Sequence, residues 1–166
     1  MSALLDTVDP DGLLEYSVVF TDRSLNHMSK KFQGVMNDLS SILKEVYNTD
    51  GVALVPGGGT YGMEAVARQV AVNKHALVIR NGYFSYRWSQ IFESGNSTKK
   101  TTIVKARQIG NEETSPFAPA PIDEIVAKIH ETKPDVVFAP HVETSAGVLL
   151  PKAYLESISK AAHDVG

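Results

Sequence analysis

Val52-Ala-Leu-Val-Pro-Gly-Gly-Gly-Thr-Tyr-Gly-Met-Glu64 is the stretch on which the fold of this chain turns. Val52–Val55 predicts a short apolar strand, Gly57-Gly58-Gly59 a turn, and the residues from about Thr60 to Val72 a helix. Glycines let a backbone approach a ligand closely, and the first amides of a helix have no partner inside it. Together with the helix dipole those amides make an anion site suited to a phosphate. The Thr60 hydroxyl adds a further bond while capping the helix. Gly58, Gly59 and Thr60 are therefore the first candidate ligand-binding residues.

Working outward, an amphipathic pattern precedes the loop. Phe32, Val35, Met36, Leu39, Ile42, Leu43, Val46 and Tyr47 recur at spacings of three and four, which predicts a helix from Asn26 that stops near Asn48-Thr49-Asp50-Gly51. Residues 1–25 read as an irregular N-terminal segment punctuated by Pro10 and Gly12, with a short apolar run at Val18-Val19-Phe20. Downstream, strands are predicted at Ala76–Ile79, Thr102–Lys105 and Asp135–Ala139, and helices at Phe84–Glu93, Ile122–Glu131 and Pro151–Asp164. Residues 107–121 read as a loop, and His141–Leu150 as a loop or short strand. Strand and helix thus alternate along 26–166, which predicts an α/β fold of three layers, a mostly parallel sheet with helices on both faces. Val165-Gly166 places a cap glycine where such a fold hands over to another strand, so 26–166 reads as an incomplete domain.

Composition narrows the functional classes. The 166 residues are 43% hydrophobic and carry a net charge of −3. That balance offers no electrostatic footprint for nucleic acid or an anionic membrane. No apolar run approaches the roughly 20 residues of a membrane span. The absence of cysteine removes disulfides, thiolate metal sites and Cys nucleophiles, and no metal site is assigned. The start, MSALLDTVDPDGLLEY, has acidic residues where a secretory leader is basic and then apolar. The expectation is a cytoplasmic protein.

Which phosphate the loop takes has two answers at this point. Gly57-x-Gly59-x-x-Gly62 matches the dinucleotide fingerprint, but the acid that should close the second strand is missing from Ile79-Arg80-Asn81. Arg80 would suit a 2′-phosphate, so an NADP-binding Rossmann-like module is one reading. No Gly-Lys-Ser/Thr follows the glycines, which excludes a Walker loop.

Three motifs carry the other reading: Gly57-Gly-Gly-Thr-Tyr-Gly-Met-Glu64, Asn81-Gly-Tyr-Phe-Ser-Tyr-Arg-Trp88 and His141-Val-Glu-Thr-Ser-Ala-Gly147. Their order and spacing resemble the class V aminotransferases, pyridoxal-phosphate enzymes of fold type I, and Asn26-His-Met-Ser-Lys-Lys-Phe32 resembles the opening of the long helix in that family. The resemblance implies that Gly58, Gly59 and Thr60 hold the phosphate of pyridoxal phosphate, that Phe84 stacks on its ring, and that Thr144 sits near its phenolic oxygen. It also implies amino-acid and 2-keto-acid substrates and a homodimer. Read as residues alone, Phe84 is equally a core side chain, Thr144 and Ser145 turn or cap residues, His141 and Glu143 structural hydrogen-bonding groups, and Tyr86 and Trp88 packing residues. Arg23 and His27 border the substrate entrance or sit at a solvated helix start. The carboxylates Glu112-Glu113 and Asp123-Glu124 read as solvated helix faces.

The sequence departs from the family at Asp9-Pro10-Asp11-Gly12-Leu-Leu-Glu15, where a segment rich in Pro and Gly is usual. The family's pyridinium-binding Asp and its catalytic Lys fall beyond Gly166. Of the eleven lysines here only Lys105 closes a predicted strand, and not the one the family uses. No catalytic residue is assigned, and the chain alone is expected to be inactive. A cysteine-desulfurase-like relative and a non-catalytic scaffold with a vestigial site complete the alternatives.

Overall fold

A computed structural model describes residues 30–166, which divide between Leu54 and Val55 into two units. The N-terminal segment 1–25, with Val18–Phe20 and Arg23, and also His27, lies outside the described residues. In the first unit the predicted helix is α1, Lys30–Tyr47. Its 3.6-residue periodicity aligns Val35, Leu39, Ile42 and Val46, all exposed.

The second unit is built around a short parallel sheet. Strand β1 (His75–Arg80) lies between β2 (Lys100–Lys105) and β5 (Val136–Phe138), and pairs in parallel with both. Parallel neighbours need a crossover, and the crossovers are helices. Helix α3 (Tyr83–Gly95) links β1 to β2, and α4 (Ile122–Thr132) precedes β5. Helix α2 (Gly59–Val70) leads into β1, and α5 (Lys152–Asp164) closes the unit. The unbroken apolar run Ala76-Leu-Val-Ile79 is what a strand covered on both faces requires, and all four residues are buried.

Alternation along β1 separates two cores. Leu77 and Ile79 pack with Val104 of β2, Ile125 and Ile129 of α4, and Ile158 and Ala161 of α5. Ala76 and Val78 face the other way, onto Ala67 and Ala71 beside α2, Phe92 of α3 and Phe138 of β5. Helices therefore cover both faces, and the three-layer arrangement holds. No described helix is long and apolar enough to cross a membrane.

Three expectations need correction. Val52–Val55 is not a strand: among the described residues no strand pairs with it, and Leu54 and Val55 are 43% and 44% exposed. The parallel sheet accordingly has three strands rather than four. Residues 107–121 are not all loop, because β3 (Arg107–Gln108) and β4 (Phe117–Ala118) form a small antiparallel hairpin. Glu112 and Glu113 stand in its turn rather than on a helix, while Glu124 opens α4 and is ion-paired with Arg107. His141–Leu150 becomes a second hairpin, β6 (Val142–Glu143) and β7 (Val148–Leu149), with a 3-10 turn at Thr144–Ala146 between them.

Candidate functional site

The glycine loop ends in a bare helix N-terminus. Gly57 has φ +123°, a region closed to most side chains, and a Cβ there would sit 2.4 Å from the Tyr61 ring. Gly57 is thus required by the turn itself. Gly58 and Gly59 are not: a Cβ at either meets nothing within 4 Å. Gly58 occupies the N-cap position of α2 with extended backbone and no side-chain cap. The amide of Tyr61 returns to the Gly58 carbonyl at 2.9 Å. Among the described residues the amides of Gly59 and Thr60, the first two of the helix, have no hydrogen-bond partner, as the geometry of a helix N-terminus leaves them.

The second half of the site is the start of α3. Its N-cap is Gly82, which brings no side chain, so the orphan amides there are satisfied from elsewhere. The carboxylate comes from Glu143, at the end of β6 and fully buried. Its Oε1 accepts from the Phe84 amide at 3.0 Å and the Ser145 hydroxyl at 2.5 Å. Its Oε2 accepts from the Ser85 amide at 2.8 Å and the Ser85 hydroxyl at 2.5 Å. Ser145 Oγ also receives the Tyr83 amide at 2.8 Å, and Ser85 Oγ the amides of Asn81 and Gly82 at 2.8 and 3.1 Å. Burial works against the charge on Glu143, but the bonds from Ser145, Ser85 and Phe84 outweigh it and hold the carboxyl below its ordinary value. Gly82 is a steric necessity, since a Cβ there would lie 2.6 Å from Ser145 Oγ and 2.7 Å from Glu143 Cγ.

This clamp brings two of the expected residues together. Phe84 is held through its amide by Glu143, and Thr144 is the next residue in the chain, opening the 3-10 turn. Phe84 is 52% exposed, so its ring is not a core side chain. Thr144 is exposed too. Thr60 borders a different feature, a cleft of about 240 Å3 between α2 and α3, shared with Glu64, Arg68, Arg87, Gln90 and Ser97. Phe84 and Thr144 do not line that cleft. Trp88 packs as expected, its ring 4.5 Å from that of Phe138, and Tyr86 lies beneath the Arg80 guanidinium. His141 is exposed and uses its backbone carbonyl to receive the Leu150 amide.

Among solved structures, the chain is similar to the crystal structure of ureidoglycine–glyoxylate aminotransferase from Bacillus subtilis, with a TM-score of 0.63 and 23% sequence identity. The chain shares that enzyme's fold. The match covers 83% of this chain and 34% of the other, so the chain spans about a third of that enzyme's length. No family model matches the sequence, and no curated protein does.

Sequence reasoning left out Ser85, Ser145 and Gly82 as parts of one unit with Glu143. The available signal was negative: a helix opening Gly82-Tyr-Phe-Ser85 has no Asp, Asn, Ser or Thr at its N-cap, so its cap had to come from another segment. The dinucleotide reading loses support for a related reason. Its fingerprint requires a strand before the glycines, and Val52–Val55 is not one.

Proposed function

We propose that this chain supplies the cofactor-anchoring part of a class V, pyridoxal-phosphate-dependent aminotransferase that moves an amino group between an amino acid and a 2-keto acid. The observation that carries the reading is the pair of bare amides at Gly59 and Thr60, on a fold shared with an aminotransferase. The residues present fit the cofactor. Glycine at 58 and 59 leaves open the space a phosphate needs, and the half-exposed Phe84 ring offers a stacking face. The Thr144 hydroxyl, one residue from the carboxylate that fixes Phe84, serves the phenolic oxygen. When bound, pyridoxal phosphate supplies the electron sink for the chemistry. This chain's own part is to hold a phosphate, orient a ring and keep both in one geometry. On this reading residues 26–166 belong to a large cofactor domain preceded by the segment 1–25, the protein works as a homodimer in the cytoplasm, and a chain without cysteine is at home there.

Ultrafiltration with pyridoxal phosphate, followed by amide NMR shifts, tests the reading. Saturable binding with the largest shifts at Gly58–Thr60 is expected, and Gly59→Glu, which sets a carboxylate against the phosphate, should weaken it about tenfold or more. Shifts elsewhere with this loop unmoved, or preferential binding of NADP, would sink it. The 166-residue chain mixed with cofactor, alanine and a 2-keto acid should not exceed the free-cofactor rate, because the resemblance gives none of its lysines the role of moving the substrate proton. Faster turnover with one lysine trapped by borohydride would refute that part.

A further inference from the structure

The consecutive backbone amides from Asn81 to Ser85 are all bonded to side chains. Ser85 Oγ accepts from Asn81 and Gly82, Ser145 Oγ from Tyr83, and Glu143 from Phe84 and Ser85. Capping α3 needs less than this. A short polar side chain beside a helix start satisfies its amides locally, whereas a buried carboxylate carries a desolvation cost that its bonds must offset. What the distant carboxylate adds is registration. Glu143 belongs to the β6–β7 hairpin and receives the Phe84 amide at 3.0 Å, and Thr144 is the next residue along. One side chain therefore sets Phe84 and Thr144 relative to each other, although they stand on separate elements. A cap drawn from α3 itself could not do that.

The two rings carried on the clamped backbone differ in what they meet. The Arg87 guanidinium stands 5.0 Å from the Tyr83 ring centroid and donates to the Tyr83 hydroxyl at 2.9 Å. Phe84 meets Tyr83 at 6.1 Å and 69°, and among the described residues no ring or guanidinium lies flat against it. A ring on a fixed backbone loses less freedom to a flat ligand than one on a loose loop.

We propose that Glu143 is a positioning residue for the cofactor, holding the Phe84 ring and the Thr144 hydroxyl in a single arrangement that a pyridine ring and its phenolic oxygen meet together. The inference rests on the pyridoxal-phosphate reading and deepens it. Glu143 is fully buried and acts on the ligand only through its neighbours. Ser145 serves with it, donating to Oε1 at 2.5 Å while receiving the Tyr83 amide.

Pyridoxal phosphate is the probe, titrated into the native 166-residue chain, Glu143→Gln, Phe84→Leu and the double variant, each first checked for folding by Trp88 emission. Glu143→Gln should weaken binding about three- to tenfold. In the Phe84→Leu chain the same change should alter affinity by less than about twofold, because the ring through which it acts is gone. Induced circular dichroism of the bound cofactor at saturation should also fall in Glu143→Gln, since a loosely held ring leaves the ligand less well oriented. Equal losses with either residue at position 84, no loss at all, or an unchanged saturated spectrum would each overturn the inference. Ser145→Ala keeps the carboxylate and removes one donor, so affinity and spectrum should move the same way by a smaller factor. If Glu143→Gln does not fold, unchanged binding and spectrum in Ser145→Ala would overturn the inference in its place. A native chain that binds no pyridoxal phosphate would instead remove the cofactor reading, and this inference with it.

Discussion

Glu143 shows how one side chain can be worth more than its place in the sequence indicates. It ends a short strand, and nothing near it in the chain marks the helix it caps, because the amides it receives are 58 and 59 residues away. Reading it as a structural hydrogen-bonding group is sound; the partner set needed the fold. A buried carboxylate receiving two amides and two hydroxyls replaces the missing cap of α3 and ties that helix to the β6–β7 hairpin. Glu143→Gln puts a donor where donors already converge, and should cost about 2–3 kcal/mol in urea unfolding. Gly82→Ala, which pushes a methyl into Ser145 and Glu143, should destabilise to a similar extent. The pH dependence follows from the sign of the shift. A carboxyl whose folded pKa is depressed below its usual 4.5 contributes stability above that value. The contribution is lost as pH falls through the lower, folded pKa. Unfolding midpoints measured from pH 6 down to 2 should therefore drop more steeply for the native chain than for Glu143→Gln, and parallel curves would show the carboxylate is not the cap.

At the level of elements, the strongly periodic segments were legible and the marginal ones were not. All five helices and the three strands of the parallel sheet lie within a few residues of their predicted places, since burial on one stripe or on both faces writes itself into the sequence. Val52–Val55 misleads because an apolar run is only half of a strand, the other half being a neighbour to pair with. The hairpin β3–β4 is invisible for the opposite reason: two residues a side are too few to show alternation, and its turn at Gly110 is set in a polar stretch. The turn ahead of α2 was legible because consecutive glycines mark a break before a helix. The helix α3 offers a direct test of the packing. Phe92 is 2% exposed and its ring lies 5.2 Å from Phe138, which in turn contacts Trp88. Phe92→Ala should cost about 3–5 kcal/mol. Trp88 is the only tryptophan, so its emission reports the same site and should shift to the red as water enters. A loss under 1 kcal/mol with unchanged emission would mean that α3 is not packed on this face.

For the whole molecule, the open question is what covers the sides of the sheet. Among the described residues, in the order β2-β1-β5, only the central strand is paired on both sides, and each outer strand keeps one row of backbone donors and acceptors without a strand partner. Such edges invite another strand unless something blunts them. The Lys at each end of β2 is a blunting device on one side, whereas β5 (Val136-Val137-Phe138) carries no charge at all. Exposed Phe84, Tyr83 and Leu149 add apolar surface around the clamp. Both features favour self-association over a lone chain, in line with the homodimer implied by the resemblance. Sedimentation equilibrium at micromolar concentration should return about twice the 18.0 kDa of one chain. If the association uses the apolar surface around Phe84, Tyr83→Lys on that surface should shift the equilibrium toward monomer while leaving Trp88 emission unchanged. A native chain that sediments as a monomer at that concentration would remove the dimer from the account, and with it any role for a partner subunit in completing the site.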